Sequence, residues 1–399
     1  MRFILVAAFV CVALAAPRVR QVENLSNKNR IAGEFLVVLQ PNRARSSNVK
    51  YANSVADKIA EISSKIVIVK RFTNLLTPIF LIKITDESVI NNLFQLHEVE
   101  SVEANVFQQM TQQCASQNTG SRLWGLSRTS SVSRPNFNNA RFSYRSGDGS
   151  GVRVYVFDTG IRLSHQDFRG RVQFGLNTVG GSNNDNNGHG THCAGTVGGT
   201  EFGVAKGATL VAMKVLGDSG SGSFSGIIEG VNWAVRDIQS RRVRGVLSMS
   251  LGGGTSSALD SAVNSADAAG IPVVTAAGNS NTDACFNSPG RASGAINVGN
   301  TDITDTLWGS SSWGRCVDIL APGTNILSAS HRSDSGSATD TGTSMSCPHV
   351  AGVVAKYLSA NPNASTAQVK SFLTSSATRN AINLRGMNAT PNLLLYSTC

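Results

Sequence analysis

"TDTGTSMSCPHVAG", residues 339–352, admits two chemistries. Asp340-Thr341-Gly342 repeats the triplet Asp158-Thr159-Gly160. Two such triplets could bring together a pair of carboxylates that share one proton. In the other reading Ser344 is a nucleophile at the start of a helix, and only Asp158 has a chemical task. The two readings demand different folds, so the surrounding elements decide.

The segment after the second triplet, "SMSCPHVAGVVAKYLSAN", has a helical pattern, with Val350, Val353, Val354, Tyr357 and Leu358 on one side. Pro348 is tolerable there because the first turn has spare N–H groups. Working outward, strands and helices alternate. "GVRVYVFD" (151–158), "TLVAMKV" (209–215), "GVLSMS" (245–250) and "IPVVTAA" (271–277) read as strands. "SGIIEGVNWAVRDIQS" (225–240) places apolar residues at 227, 228, 231, 234, 235 and 238, one face of a helix. "SALDSAVNSADAAG" (257–270) is a further helix, stopped by Gly270. This alternation predicts a parallel sheet with helices on both faces and a site beyond the carboxyl ends of the strands. A pepsin-like protein would be nearly all strand, so the shared-proton reading loses its scaffold.

An earlier segment has its own pattern. "EFLVVLQ" (34–40), a helix over 51–65, "IVIVKRF" (66–72), "TPIFLIKIT" (77–85), a helix over 86–98 and "VESVEA" (99–104) give the order βαββαβ. Residues 105–121 are a polar linker. Residues 1–16, "MRFILVAAFVCVALAA", read as a secretory signal, too short an apolar run for a span. The chain is therefore expected to be secreted, with no membrane partner. Secretion permits disulfides, and six cysteines remain after the signal: 114, 193, 285, 316, 347 and 399. Sequons stand at Asn24, Asn363 and Asn388. The formal net charge is +10, but the one dense basic cluster, Arg236, Arg241, Arg242 and Arg244, falls at a helix end, so no nucleic-acid partner is expected.

Four residues fall at element ends on one rim. Asp158 closes a strand, and His189 opens a Gly-flanked turn in "NNGHGTHCAGT" (186–196). Asn279 follows the strand in "VVTAAGN" (273–279), and Ser344 starts a helix. A serine hydroxyl needs a base to remove its proton, and His189 can serve near neutral pH. A buried Asp158 would fix the imidazole's tautomer. The Asn279 amide and the Ser344 N–H would receive the developing oxyanion.

With these residues in place the sequence resembles the subtilisin-like serine proteases, and is most similar to their proteinase K group. The resemblance rests on "VFDTGI", "NGHGTHCAGT", "SMSLGGG", "AAGN" and "GTSMSCPHVAG", in the order Asp, His, Ser, and spans roughly 120–385. It implies an α/β three-layer subtilisin-like fold with a mainly parallel sheet over 113–399, preceded by a small α+β propeptide over 17–112 with an inhibitor-like core at 34–107. It implies a secreted serine endopeptidase made as an autoprocessed zymogen, monomeric, acting on polypeptides, with its own propeptide as inhibitor and folding aid. The activation cut would fall between Phe107 and Gln117.

By the same resemblance Ser250-Leu251-Gly252 and Gly220-Ser221-Gly222 edge the substrate cleft, and Phe224 lines an outer apolar subsite. Ala276-Ala277-Gly278 would wall the pocket before the scissile bond; without acidic residues there, broad apolar preference is expected. Asp318, with the carbonyls of Ser293 and Ala295, would bind calcium. Cys285 and Cys316 resemble a known bridge of relatives, whereas nothing in the sequence shows that Cys114 and Cys399 meet. Zinc at His189, His192 and Cys193 is disfavoured by the i, i+3 spacing without an intervening Glu. His192 is expected to be structural, Cys193 free beneath the base, Cys347 a small buried residue, and His349 a packed helix residue. A second reading is a relative that keeps its propeptide bound and cleaves nothing but itself.

Overall fold

The computed structural model describes residues 21–27, 30–41, 47–75, 77–106 and 114–399. The expected signal at 1–16 lies outside them, as does most of the expected cut region. The chain divides into two compact units, Met1–Thr111 and Gln112–Cys399.

In the first unit β1 (Arg30–Leu39), α1 (Asn48–Ile62), β2 (Ile66–Phe72), β3 (Ile79–Ile84) and β4 (Val99–Val106) build an antiparallel sheet of order β2-β3-β1-β4. Alternate residues of β1, namely Phe35, Val37 and Leu39, meet Ala52, Val55, Ala56 and Ile59 of α1 in the core. The segment expected as an α-helix over 86–98 is instead a 3₁₀ helix, Glu87–Gln95. Its two buried residues, Ile90 and Leu93, are three apart, and a three-residue repeat keeps both on the sheet side.

The second unit opens with β5 (Cys114–Asn118), α2 (Trp124–Thr129), β6 (Arg141–Arg145), β7 (Val152–Asp158) and β8 (Val172–Asn177). It continues through α3 (His189–Gly198), β9 (Thr209–Lys214), α4 (Phe224–Arg241), β10 (Arg244–Met249), α5 (Ser257–Ala268), β11 (Val273–Ala276) and β12 (Ala295–Thr301). It closes with β13 (Ile319–Pro322), β14 (Ile326–Ala329), β15 (Ser337–Asp340), α6 (Thr343–Ala360), α7 (Thr366–Ser376), β16 (Thr378–Arg379) and β17 (Leu393–Leu394). Nine strands form one sheet, β16-β17-β13-β12-β11-β10-β7-β9-β8, in which only β16–β17 is antiparallel.

The pleat of β7 feeds two separate cores. Val154 and Val156 pack with α3, α6 and α7, whereas Tyr155 and Phe157 pack with α4 and α5. That is a three-layer α/β architecture, as expected. Two disulfides tie the unit: Cys285–Cys316, and Cys114–Cys399 with Cα atoms 5.8 Å apart. The second closes a loop of 285 residues that no local pattern announces.

Candidate active site

The right-handed crossovers of a parallel sheet bring strand ends and helix starts to one rim, and four of them converge here. Asp158 ends β7, His189 begins α3, Asn279 follows β11, and Ser344 is the second residue of α6. His189, Asn279 and Ser344 line one cleft of about 730 Å³. Asp158 lies behind it, fully buried.

The Asp158 carboxylate meets His189 Nδ1 at 2.8 Å and 2.9 Å from its two oxygens. Nδ1 therefore donates, which leaves Nε2 as the ring's acceptor. Ser344 Oγ donates to the Ser250 carbonyl at 3.3 Å, and the Ser344 carbonyl accepts from Ser250 Oγ at 2.8 Å. Ser250 thus fixes the serine's turn of helix. Asn279 Oδ1 accepts from both Thr343 N and Thr343 Oγ1 at 2.9 Å. Because a backbone N–H can only donate, the atom facing it is the oxygen, and the Asn279 NH₂ is the end left for the cleft. The Ser344 N–H belongs to the first helical turn, whose donors have no intrahelical acceptor.

Burial opposes a charged His189, but the adjacent Asp158 charge and its hydrogen bond outweigh it and raise the imidazole well above its usual value. Cys193 is fully buried beneath, and its Sγ donates to the Ser344 carbonyl at 3.4 Å. Burial raises that thiol, so it stays protonated. Asp158, His189 and Cys193 bring their ligand atoms within 4.8 Å of one another, but the carboxylate and imidazole already bond each other.

The other sequence-selected residues sort by burial. His192 Nε2 faces the carbonyls of Ile326 and Ala338 at 3.0 and 3.1 Å, a structural placement. His349 is buried and pushed down to about 4 by burial, so it is a neutral helix residue bonding the Met345 carbonyl through Nδ1. Cys347 is buried and free, and burial pushes its thiol up to about 12. Asp340 is exposed on β15.

Gly220, Ser221, Gly222 and Phe224 line the cleft, together with Ser250, Leu251 and Gly252. So do Ala276 and Gly278, but not Ala277. Ala277 is fully buried and packs with Ala284, Leu307 and Val317 behind the wall. Successive residues leaving a strand face opposite sides, so only the flanking pair can reach the cleft. Asn287 and Ser288 complete the wall instead and give it polar groups. Their signal, "FNSPG", is a plain turn sequence.

At the expected calcium position the donor types suit the ion: one carboxylate and two carbonyls. Two of them have partners of their own. Asp318 Oδ2 accepts from Asn297 N at 2.7 Å, and the Ser293 carbonyl accepts from Lys370 Nζ at 2.9 Å. The same ammonium is 3.9 Å from Asp267. An ion bound to Ser293 would displace Lys370.

Sequence reasoning passed over Asp185, which lies in the polar run "GGSNNDNNGHG". It is buried, and its carboxylate takes hydrogen bonds from Thr159, Asn187, Gly188 and Thr191. The one available signal was its position three residues before a helix cap, Gly188, that has no side chain.

The chain is similar to an extracellular serine proteinase of Thermus sp. (strain Rt41A), 49% identical over 69% of this chain and 66% of that protein, just under two thirds of its length. It is 36% identical to a cuticle-degrading serine protease of Arthrobotrys oligospora, over 98% of this chain and 97% of the relative. Among solved structures, one described as a cold adapted subtilisin-like serine proteinase superposes with a TM-score of 0.65 at 43% identity, over 70% of this chain and 100% of that one. The family model described as Subtilase family matches residues 149–392, more than half of the chain and the part that carries Asp158, His189, Asn279 and Ser344. The chain belongs to the subtilase family of serine peptidases.

Proposed function

We propose that this chain is a secreted serine endopeptidase whose triad is Ser344, His189 and Asp158. The observation that carries the reading is the 2.8 Å Asp158–His189 bond beside a cleft that also holds Ser344 and Asn279. His189 Nε2 takes the Ser344 proton as Oγ attacks the substrate carbonyl. Asp158 steadies the imidazolium. The Asn279 NH₂ and Ser344 N–H receive the oxyanion, and the imidazolium then protonates the departing amine. Water, activated by the same imidazole, releases the acyl group and restores Ser344.

The substrate is a polypeptide lying between Gly220–Gly222 and Ser250–Gly252, with an apolar side chain against Ala276 and Gly278 and a polar rim at Asn287. The chain acts as a monomer. A relative named as extracellular supports secretion, and among the described residues no helix is long and apolar enough to cross a membrane. The first unit acts as the propeptide: residues 17–112 inhibit the enzyme and assist its folding until the peptidase unit cuts them off. A relative alignable over 98% of this chain supports treating both units as one precursor. Calcium belongs to the proposal as well. Asp318, Ser293 and Ala295 would hold it once Lys370 withdraws, and the ion would brace the start of β12 against the residue before β13. A chelator then lowers Tm in wild type but not in Asp318→Ala, and equal loss in both removes the site.

The deciding experiment pairs wild type with Ser344→Ala. Wild type yields two fragments and labels with a fluorophosphonate, whereas the variant stays a folded, uncut, unlabelled precursor. Normal processing of Ser344→Ala in pure form overturns the nucleophile and the propeptide together.

A further inference from the structure

We infer that Asp185 is a positioning residue that sets the register between Asp158 and His189; the inference rests on the triad proposed above. The residue is 5% exposed, yet its side chain accepts five hydrogen bonds. Oδ1 takes Thr159 Oγ1 at 2.8 Å, Gly188 N at 2.8 Å and Asn187 N at 3.2 Å. Oδ2 takes Thr191 Oγ1 at 2.6 Å and Thr191 N at 2.9 Å. The donors come from the residue after Asp158 and from both sides of His189. Thr159 Oγ1 closes the circuit by accepting from Gly190 N at 3.0 Å.

Two duties meet in this carboxylate. The first is to cap α3. Its N-cap residue is Gly188, which has no side chain for the donors of the first turn. Asp185 bonds the cap's own N–H and the N–H of Thr191, and its negative charge suits a helix N-terminus. The second duty is to fasten that cap to the end of β7 through Thr159. Strand end and helix start belong to different layers, and the His189 ring reaches Asp158 only if they hold one register. Cys193, Ala194 and Val197 pack the later turns of α3 on the sheet, but the glycines on both sides of His189 give the start of the helix no apolar side chain to pack, so there the hydrogen bonds carry the placement.

The chemistry requires a carboxylate rather than a carboxamide. All five partners donate, and an Asn puts an NH₂ at one end. Whichever end it takes, at least two donors lose their acceptor. The segment then relaxes, and the base moves against both Asp158 and Ser344. A displacement near 1 Å in such a site costs about 10²-fold in rate.

The test uses the matured enzyme from full-length chain, with active sites counted by fluorophosphonate, which wild type must take up for the triad itself to stand. For Asp185→Asn we expect kcat to fall about 10²-fold with KM within about twofold. The acid limb of its pH profile should also move toward that of an ordinary imidazole, because the Asp158–His189 bond that raises His189 is loosened. A folded Asp185→Asn enzyme with lower Tm but wild-type kcat and pH limb would show a purely structural carboxylate and overturn the inference. Should that variant fail to fold, Thr191→Val and Thr191→Ser decide. Val removes the 2.6 Å donor and should lower kcat and shift the limb, while Ser keeps it and restores both. Wild-type kcat and pH limb in Thr191→Val overturn the inference equally.

Discussion

Asp158-Thr159-Gly160 and Asp340-Thr341-Gly342 have the same letters and share one local hydrogen bond. In each, the Asp Oδ1 accepts from the N–H of the following Thr, at 2.8 Å and 2.7 Å. Beyond that bond they share little. Asp158 is fully buried at the end of a strand with neighbours on both sides and is bonded by His189. Asp340 is exposed at the end of a two-stranded ribbon, β14–β15. Thr159 Oγ1 feeds the buried Asp185, whereas Thr341 Oγ1 accepts from Asn325 N near the surface. The triplet carries one local hydrogen bond, and the layer that receives it assigns the chemistry. A carboxylate can hold an imidazolium only where water does not compete for it.

The largest effect separates the two aspartates. Asp158→Asn should lower kcat by about 10⁴-fold, because an amide no longer fixes the tautomer or the charge of the base. Asp340→Asn should stay within about twofold. Equal loss in both, in folded proteins, would restore the shared-proton reading. The pH profile sharpens the same contrast. Asp158 raises His189 against the opposing effect of burial, and activity needs the neutral ring, so the acid limb should lie above that of an ordinary imidazole. Asp158→Asn should draw residual activity to lower pH, and Asp340→Asn should leave the limb in place. Stability runs the other way. A raised imidazole contributes stability that is full below its unfolded pKa and is lost as pH rises through the folded one. Activity and this increment of stability therefore occupy opposite sides of the His189 titration. An acid limb common to wild type and Asp158→Asn would break the link between the pair and the profile.

Much of this was legible because strong periodicity survives folding. The runs 152–158, 209–214 and 244–249 are strands, and 224–241 and 343–360 helices, within a residue or two of their sequence patterns. The rim residues followed from those ends. What stayed illegible depends on distance or on polar context. β8 carries "VQFGLN", which alternates apolar residues with polar ones or glycine, but the run is short and at the sheet edge it buries only Val172 and leaves Phe174 exposed. Cys114 and Cys399 meet across 285 residues, and no spacing rule reaches that far. Ala277 was placed in the pocket because a motif was read as a block, although the pleat admits only every second residue. Lys370 comes from α7, remote in sequence from Ser293, so its bond could not be inferred from the calcium pattern. Asp185 hid among asparagines and glycines, where polarity reads as loop until the burial of a single carboxylate is known.

The smallest effect lies in the two glycines, and it divides stability from turnover. Gly160 has φ +109°, a region side chains rarely adopt, and a Cβ there would stand 3.3 Å from Asp185 N and 3.4 Å from Asn183 O. Both neighbours are backbone and cannot give way freely. Gly160→Ala should therefore destabilise by about 1–2 kcal/mol or more, lowering Tm by a few degrees. Gly342 has φ 165°, extended backbone open to any residue. Its added Cβ would meet a side chain instead, Asn279 Nδ2 at 3.3 Å. Because Thr343 pins the other end of that amide, the NH₂ can yield only by leaving its line to the cleft. Removing such a donor outright costs about 10²–10³-fold in subtilisin, a member of this family, so a partial displacement should cost about tenfold. Gly342→Ala is then expected to keep the wild-type Tm and lose turnover, while Gly160→Ala loses Tm first. Melting curves and kcat on the two variants check this. A Gly342→Ala enzyme that melts early yet turns over normally would mean that Asn279 is not held where an oxyanion forms.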